Sequence, residues 1–134
     1  MHNQLYKMET RRIFDFIHFQ HANAPLEKAF GYRTGEEWTY FSTEQVIGLA
    51  DKVSRGLLRL GVRKGDKIAI VVQQNRPEWT VADLGIQQIG AINVPVYPTI
   101  SAGEYVYIFN DAEVRYCFVG TGDLYEKVRR AQEK

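Results

Sequence analysis

The chain has 134 residues and a mass of 15.5 kDa, which suits one domain with a buried core. Its hydrophobic content of 45% and charged content of 25% are those of an ordinary globular protein, and they argue against disorder and against a fibrous repeat. Seventeen basic and sixteen acidic residues leave a net charge of +1, so no large positive field is available to attract nucleic acid or an anionic membrane.

The first part of the chain predicts a helix. Residues 1–27 form the predicted leading segment, in which Thr10 precedes an amphipathic stretch that ends before Pro25. Thr10 is therefore expected to lie at the amino-terminal end of this helix, where its side chain would accept a backbone hydrogen bond.

A hairpin is predicted to follow the helix. Aromatic and β-branched residues are frequent in residues 28–32 and 37–41, which are read as its two strands. The four residues between them contain Gly35, which supplies the positive φ that such a turn requires. The hairpin as a whole is predicted over residues 28–41.

Residues 42–134 are predicted to alternate helices with strands, and two helix starts are marked by capping boxes. Ser42 is followed three residues later by Gln45, and Ser101 is followed three residues later by Glu104. In each pair the serine is expected to cap the helix and the longer side chain to reach back to the serine N–H.

Three apolar runs are predicted as strands of one sheet, over residues 67–72, 91–94 and 114–119. Pro95 is expected to end the second strand because proline cannot donate a ladder hydrogen bond. Helices between the strands favour a parallel sheet, so the predicted fold class is α/β: a layered, mainly parallel sheet with flanking helices plus the amino-terminal hairpin. Nothing that ends a helix follows Lys134, so we expect the sequence to continue in a longer protein.

In open parallel sheets ligands approach the carboxyl ends of the strands, and one loop expected there is Gly120-Thr121-Gly122-Asp123. Its backbone N–H groups could bind phosphate at a helix start. However, its spacing matches neither GxGxxG nor a Walker loop, and Asp123 would repel an anion while serving as a helix cap. We therefore favour a structural turn.

A second loop contains the run NRPEW at residues 75–79. Asn75 is expected to cap the following helix, and the carboxylate of Glu78 suits the first turn of that helix. Trp79 falls on the same helical face as the apolar residues that follow, so it is predicted to be buried. These roles explain the run by folding alone, and we favour them over contact with a ligand.

The third loop leaves the second strand through Tyr97, Pro98 and Thr99. Two prolines stiffen this exit, and a stiff segment at the carboxyl end of a strand can form the wall of a pocket. We predict these three residues as a substrate-pocket wall. No catalytic residue, cofactor-binding residue or metal ligand is assigned in the chain.

The remaining reactive side chains are given structural roles. Cys117 is the single cysteine, which excludes an intrachain disulfide, fits a reducing compartment and predicts a small buried hydrophobe. His18 and His21 share a helix edge with Asp15, but a metal site would need more ligands, so a solvated pair is favoured. The apolar run at residues 13–17 is too short for a secretory signal or a membrane span, so a cytoplasmic protein is expected.

The block from residue 61 to residue 111 closely resembles the amino-terminal part of AMP-forming acyl-CoA synthetases. The whole match runs from about Ala29 to about Val119, and within it the order of the segments LGVRKGDKIAI, NRPEW, INVPVYPT and YIFND carries the resemblance. The run VPVYPT at residues 94–99, followed by Ser101-Ala102, looks most like the long-chain fatty acid ligases.

The resemblance implies a partial subdomain of the acyl-adenylating fold, in an enzyme that uses ATP, Mg²⁺, coenzyme A and a fatty acid. In that family ATP and Mg²⁺ are held by a Ser/Thr/Gly-rich loop with a lysine, an aromatic adenine-binding motif, a glutamate, an aspartate and a lysine on a mobile carboxyl-terminal domain. None of these motifs is found in residues 1–134.

Two hypotheses follow. The favoured one is the amino-terminal part of a long-chain fatty acid ligase, inactive alone, whose partners are the remainder of the longer chain and, through exposed apolar surface, other copies of itself. The alternative is a free-standing small α/β binding or interaction module without catalysis. The sequence leaves open whether the longer enzyme lies against a membrane.

Overall fold

The computed structural model describes residues 9–133, which form a three-stranded sheet, a separate hairpin and surrounding helices. In chain order the elements are α1 (Asp15–Asn23), β1 (Phe30–Thr34), β2 (Glu37–Phe41), α2 (Thr43–Arg59), β3 (Lys67–Val71), α3 (Pro77–Gln88), β4 (Ile92–Val96), α4 (Ala102–Asp111), β5 (Val114–Val119) and α5 (Gly122–Gln132). None of the helices within this range is both long enough and apolar enough to cross a membrane.

The sheet is parallel, with strand order β4-β3-β5. Ala69 in the central strand lies opposite Val94 of β4 and Cys117 of β5. Each pair of successive strands is connected by a helix, as parallel pairing requires. The predicted α/β class is therefore confirmed.

Side chains that alternate along β3 build two separate cores. Ile68 and Ile70 pack against α2 and α3, while Ala69 and Val71 pack against α4 and α5. Tyr105 of α4 is fully buried in the second core. Because β3 is covered on both faces, its almost unbroken apolar run is explained.

The hairpin and α1 lie outside the sheet and pack against α2. A third cluster joins Val46 and Ala50 of α2 to Val81 and Leu84 of α3, with Phe30 of β1 beside them. Strand β1 therefore also contacts α3, and within residues 9–133 the hairpin forms no strand pairing with the parallel sheet.

The start of α1 differs from the prediction. Thr10 is not its cap, because the helix begins at Asp15. The Asp15 carboxylate accepts the backbone N–H groups of Arg11 (3.1 Å) and Arg12 (2.9 Å) and also the Arg12 guanidinium. These hydrogen bonds stabilise the turn before α1, which has no side-chain cap. The first eight residues of the predicted segment lie outside the described residues.

The hairpin turn is tighter than predicted. Thr34 pairs with Glu37, so Gly35 and Glu36 alone form the turn, and β1 begins two residues later than expected. Gly35 has a φ of 62°, as predicted. The two-residue turn forms in place of the predicted four-residue loop because it keeps the two strands paired in register up to the turn itself.

Both capping boxes are confirmed. The Gln45 N–H donates to Ser42 Oγ at 3.1 Å, and the Ser42 N–H donates to Gln45 Oε1 at 2.8 Å. Ser101 and Glu104 make the same exchange at 3.3 and 2.7 Å. Both helices therefore begin where the sequence indicates.

Strand β4 runs past the residue expected to end it. It begins at Ile92 and continues through Pro95 to Val96, where the prediction ended at residue 94. Proline is accepted here because β4 lies at the edge of the sheet, where an outward-facing position needs no N–H donor.

Candidate functional site

An open groove of about 620 Å³ lies at the carboxyl ends of β3 and β4, against the first turns of α3. Its lining includes Trp79, Asn75, Tyr97, Pro98 and Thr99. We call it the Trp79 groove. The structure thus brings the three predicted pocket-wall residues together with two residues of the NRPEW run, and their contact with a substrate stays a prediction.

Trp79 is half-buried, where the sequence predicted a buried side chain. It packs against the core formed by α2, α3 and the sheet, and another part of it faces the groove. It also lines a second cavity of about 240 Å³ together with Phe118 and Gly120. The indole is therefore both a core contact and a groove wall.

Two side chains from distant elements hold the pocket-wall segment. The Tyr105 hydroxyl of α4 donates to the Tyr97 carbonyl at 3.1 Å, and Lys127 Nζ of α5 donates to the Pro98 carbonyl at 3.2 Å. Lys127 Nζ also lies 5.3 Å from the centroid of the Tyr105 ring. Burial raises the pKa of Tyr105, so its hydroxyl stays protonated as a donor.

The Tyr97 side chain itself is 79% exposed. Its backbone is fixed while its ring is free to meet a ligand or another part of a longer protein. Sequence reasoning missed Tyr105 and Lys127 because neither belongs to a loop at the carboxyl end of a strand. The signal that pointed toward Tyr105 was its place four residues after the Ser101 cap, on the inner face of α4.

Asn75 does not cap α3, contrary to the prediction. The helix begins at Pro77, so Arg76 occupies the cap position with a φ of −137° and makes no side-chain cap hydrogen bond. Asn75 instead lies exposed in the Trp79 groove. The proline fixes the first helical residue and moves the cap by one position.

Glu78 lies in the first turn of α3, as predicted, and pairs with Arg76 at 2.9 Å. Burial acts to raise the pKa of Glu78, but the hydrogen bond and charge of Arg76 outweigh it, so the net direction is down. The Arg76 guanidinium also lies 5.9 Å from the ring of Tyr32. This pair connects the loop before α3 to the hairpin.

The segment at residues 120–123 is a strand-to-helix turn, but its cap is Thr121 and not Asp123. The Leu124 N–H donates to Thr121 Oγ1 at 3.4 Å, while Asp123 lies in the first turn of α5. Gly120 approaches the sheet closely, since a Cβ atom there would lie 2.9 Å from Val72 Cγ1. Thr121 and Gly120 account for the turn without a ligand.

Burial raises the pKa of Cys117 to about 12, so the side chain is a thiol and a poor nucleophile. His18 and His21 are half-buried, where a solvated pair was predicted, and His21 Nδ1 is buried with no hydrogen-bond partner among the described residues. The Asp15 carboxylate, one helical turn before His18, accepts a hydrogen bond from the Arg12 guanidinium. Residues 9–133 contain no group of three His, Cys, Asp or Glu side chains placed to hold a metal ion.

Comparison with known proteins extends over most of the chain. Residues 18–134 match the family described as AMP-binding enzyme. The long-chain-fatty-acid–CoA ligase FadD15 of Mycobacterium bovis is 31% identical over 84 residues, which cover 63% of this chain and 14% of that protein. The long-chain-fatty-acid–CoA ligase ACSBG1 of Rattus norvegicus is 31% identical over 100 residues, or 75% of this chain and 14% of that protein.

A solved structure of a CoA ligase is also similar to most of this chain. The anthranilate CoA ligase AuaEII, crystallised with anthranoyl-AMP, superposes with a TM-score of 0.69 and 26% identity over 88% of this chain and 22% of that one. The chain thus spans about one seventh of the length of the curated relatives it matches. Because the family match covers far more than half of its residues, the chain belongs to the AMP-binding enzyme family.

Proposed function

We propose that this chain is the amino-terminal α/β part of a long-chain fatty acid–CoA ligase that uses ATP, Mg²⁺ and coenzyme A. One observation carries the proposal: the family match runs over residues 18–134, and the relatives named as long-chain-fatty-acid–CoA ligases are far longer than the matched segment. The role of the chain is then structural and substrate-shaping.

On this proposal the Trp79 groove contributes a wall to the fatty acid site. Val72, Trp79 and Pro95 give the groove apolar surface, and an acyl chain is recognised chiefly by apolar contact. The hydrogen bonds from Tyr105 and Lys127 support the opposite wall at Tyr97 and Pro98. A wall held in this way loses little conformational entropy when a ligand binds.

We also propose that the chain alone forms no acyl adenylate. Adenylation brings a carboxylate against a triphosphate, and the negative charge of both must be neutralised together. In the family this is done by the nucleotide and Mg²⁺ ligands named in the sequence analysis, and their motifs are not found in residues 1–134. Pyrophosphate release from ATP, Mg²⁺, coenzyme A and palmitate should therefore equal the enzyme-free blank.

A chimera tests the proposal directly. The segment of M. bovis FadD15 that aligns with this chain would be replaced by the chain, and palmitoyl-CoA formation would be measured with ATP, Mg²⁺ and coenzyme A. We expect activity, because the fold and the groove are retained. A matched chimera carrying Tyr105→Phe should keep activity but bind palmitate more weakly. A folded, soluble chimera with no palmitoyl-CoA formation would contradict the proposal.

The alternative of a free-standing binding module is favoured by the position of the Trp79 groove at the carboxyl edge of the sheet, where α/β proteins bind ligands. The chain has two tryptophans, so Trp38→Phe leaves Trp79 as the only one. Saturable quenching of Trp79 fluorescence by ATP at micromolar concentration would support this alternative. Unchanged fluorescence together with an active chimera would favour the ligase.

A further inference from the structure

Trp79 lies over a row of three side chains that crosses the parallel sheet. Pro95 of β4 and Phe118 of β5 both lie opposite Ile70 of the central strand. Pro95 and Ile70 line the Trp79 groove together with the indole, and Ile70 and Phe118 line the second cavity together with it. All three side chains therefore lie on the α3 face of the sheet, where they form an apolar floor near its carboxyl end.

The indole divides the space above this floor. Trp79, Ile70 and Val72 line both the groove of about 620 Å³ and the cavity of about 240 Å³. From these shared residues the groove continues along β4, whereas the cavity continues along β5. We call the smaller space the Phe118 cavity. Trp79 therefore stands between the Trp79 groove and the Phe118 cavity.

The backbone and the side chain of Trp79 are both held in place. Pro77 is buried and begins α3, and the Trp79 N–H donates to the Arg76 carbonyl at 3.0 Å in the first turn. The indole packs against the core that contains Ile70 and Ala82. Because a packed core resists displacement of its side chains, the indole acts as a fixed wall between the two spaces.

The Phe118 cavity depends on the absence of a side chain at Gly120. A Cβ atom at Gly120 would lie 2.9 Å from Val72 Cγ1, so a larger residue there would fill the space beside Val72. Phe118 and Ala82 give the cavity apolar surface. An aliphatic chain in the groove that continued past the indole would find further apolar contact there.

The lining of the Trp79 groove changes from polar to apolar along its length. Gln73, Asn75 and Thr99 are exposed where the strands end, whereas Pro95 and Trp79 give apolar surface over the sheet. Burying an unpaired carboxylate is costly, so the charged group of an aliphatic acid belongs at the polar end. Its methyl end then lies toward the indole.

We propose that Trp79 is a specificity-determining residue, which sets the length of the aliphatic chain that the Trp79 groove accepts. The methyl end of the ligand stops against the indole, and the Phe118 cavity behind it receives no ligand. The inference rests on the proposed function, which supplies a fatty acid as the ligand. A smaller apolar residue at position 79 joins the two spaces and admits longer chains.

The division of the two spaces does not depend on what covers the groove in a longer protein. Ile70 and Val72 belong to β3 or follow it directly, and Trp79 belongs to α3, so the floor and the dividing wall both lie within the described residues. A further segment laid over the groove would add to its walls and leave the indole between the two spaces.

Titration of the unmodified chain with saturated fatty acids gives the first test. Acids from octanoate to palmitate would be added below their micellar concentrations, and backbone amide shifts would be followed by NMR. The Thr99 amide in the groove should respond to every acid, whereas the Gly120 amide in the Phe118 cavity should not. Affinity should rise about fourfold for each added methylene and then level off at the length that reaches the indole. A Gly120 response equal to that of Thr99, or no response of either amide, would overturn the proposal.

The same titration of Trp79→Leu gives the second test. The Gly120 amide should now respond to the longer acids, and affinity should continue to rise beyond the length at which the unmodified chain levels off. Trp38→Leu is the matched control, because Trp38 is 57% exposed on the hairpin and lines neither space. It should keep the profile of the unmodified chain. A folded Trp79→Leu variant that levels off at the same length as the unmodified chain would show that the indole does not set the limit.

Far-UV circular dichroism checks that Trp79→Leu folds. If it does not, the unmodified chain decides the question by two results: the length at which affinity levels off and the absence of a Gly120 response at that length. Affinity that rises up to palmitate without levelling off would then count against the proposal.

The FadD15 chimera separates this inference from the proposed function. For the chimera with and without Trp79→Leu, kcat/KM for acyl-CoA formation would be measured across the same acids. The variant should favour longer acids. An active chimera with the same length preference in both forms would overturn this inference alone. An inactive chimera, together with the expected Thr99 and Gly120 responses in the unmodified chain, would overturn the proposed function alone.

Discussion

The Tyr105 hydroxyl donates a 3.1 Å hydrogen bond to the Tyr97 carbonyl, which ties the fully buried side chain of α4 to the wall of the Trp79 groove. This contact crosses from the core under one face of the sheet to the loop at its carboxyl edge. The groove is thus shaped by a residue that does not line it. A substitution of Tyr105 in α4 should therefore alter the pocket wall at Tyr97.

Tyr105→Phe should lower the free energy of unfolding by about 0.5–1.5 kcal/mol, because one hydrogen bond is lost while the ring still fills its site. Tyr107→Phe is the matched control, since Tyr107 is exposed two residues away and should show no change. Urea denaturation of both variants measures the difference. Equal stability of the two would mean that the Tyr105 hydroxyl is not bonded in solution.

Local signals in the sequence predicted part of this structure well. The capping boxes at Ser42 and Ser101 fixed two helix starts, because a cap depends on residues only three positions apart. The predicted parallel sheet likewise follows from strands that alternate with helices. These are features in which local chemistry and the final fold agree.

The predictions failed at positions where a contact with another element or with a residue outside the local pattern determines the structure. Pro95 was expected to end a strand, but the sheet order places it at an edge, where a missing N–H costs nothing. Thr10 was expected to cap α1, but the Asp15 carboxylate accepts the backbone N–H groups that precede the helix. The contact of Tyr105 with Tyr97, and that of Lys127 with Pro98, depends on how two helices pack, which no short pattern records.

The crossing of α2 and α3 depends on the absence of a side chain at Gly85. A Cβ atom at Gly85 would lie 2.6 Å from Val53 Cγ1 and 2.9 Å from the Ala50 carbonyl oxygen. The Gly85 carbonyl also accepts a 2.8 Å hydrogen bond from Ser54 Oγ. Gly85→Ala must separate the helices and should cost about 1–3 kcal/mol in thermal or urea unfolding.

Gly56 offers the matched control for Gly85. It lies exposed on α2, and a Cβ atom there would meet nothing within 4 Å. Gly56→Ala should therefore stabilise the chain by about 0.5–1 kcal/mol through helix propensity alone. A stabilising Gly85→Ala would show that the two helices are not in close contact.

Stability at acid pH should depend on Asp15. The hydrogen bond from the Arg12 side chain, with the Arg11 and Arg12 backbone N–H groups, lowers the pKa of Asp15 to about 2. The folded state then binds fewer protons than the unfolded state, in which the pKa of an aspartate is about 3.9. The stabilisation is therefore complete above about pH 5 and is lost as the pH falls toward 2.

Asp15→Asn should remove this pH dependence. The free energy of unfolding, measured by circular dichroism between pH 6 and pH 2, should fall less steeply with decreasing pH in the variant than in the unmodified chain. Asp111→Asn, at an exposed carboxylate that ends α4, is the control and should leave the slope unchanged. An unchanged slope in Asp15→Asn would show that the Arg12 pair does not persist in solution.

Trp79 should contribute less to stability than a fully buried tryptophan, because the groove leaves part of its indole uncovered. Trp79→Ala is expected to cost about 2–3 kcal/mol, below the roughly 3–5 kcal/mol typical of complete burial. Trp38→Ala, at a hairpin residue that is 57% exposed, should cost less than about 1 kcal/mol. Urea denaturation at one pH compares the two variants. If Trp79→Ala cost no more than Trp38→Ala, the indole would have no place in the core between α3 and the sheet, and the Trp79 groove would lose the rigid wall on which its proposed role depends.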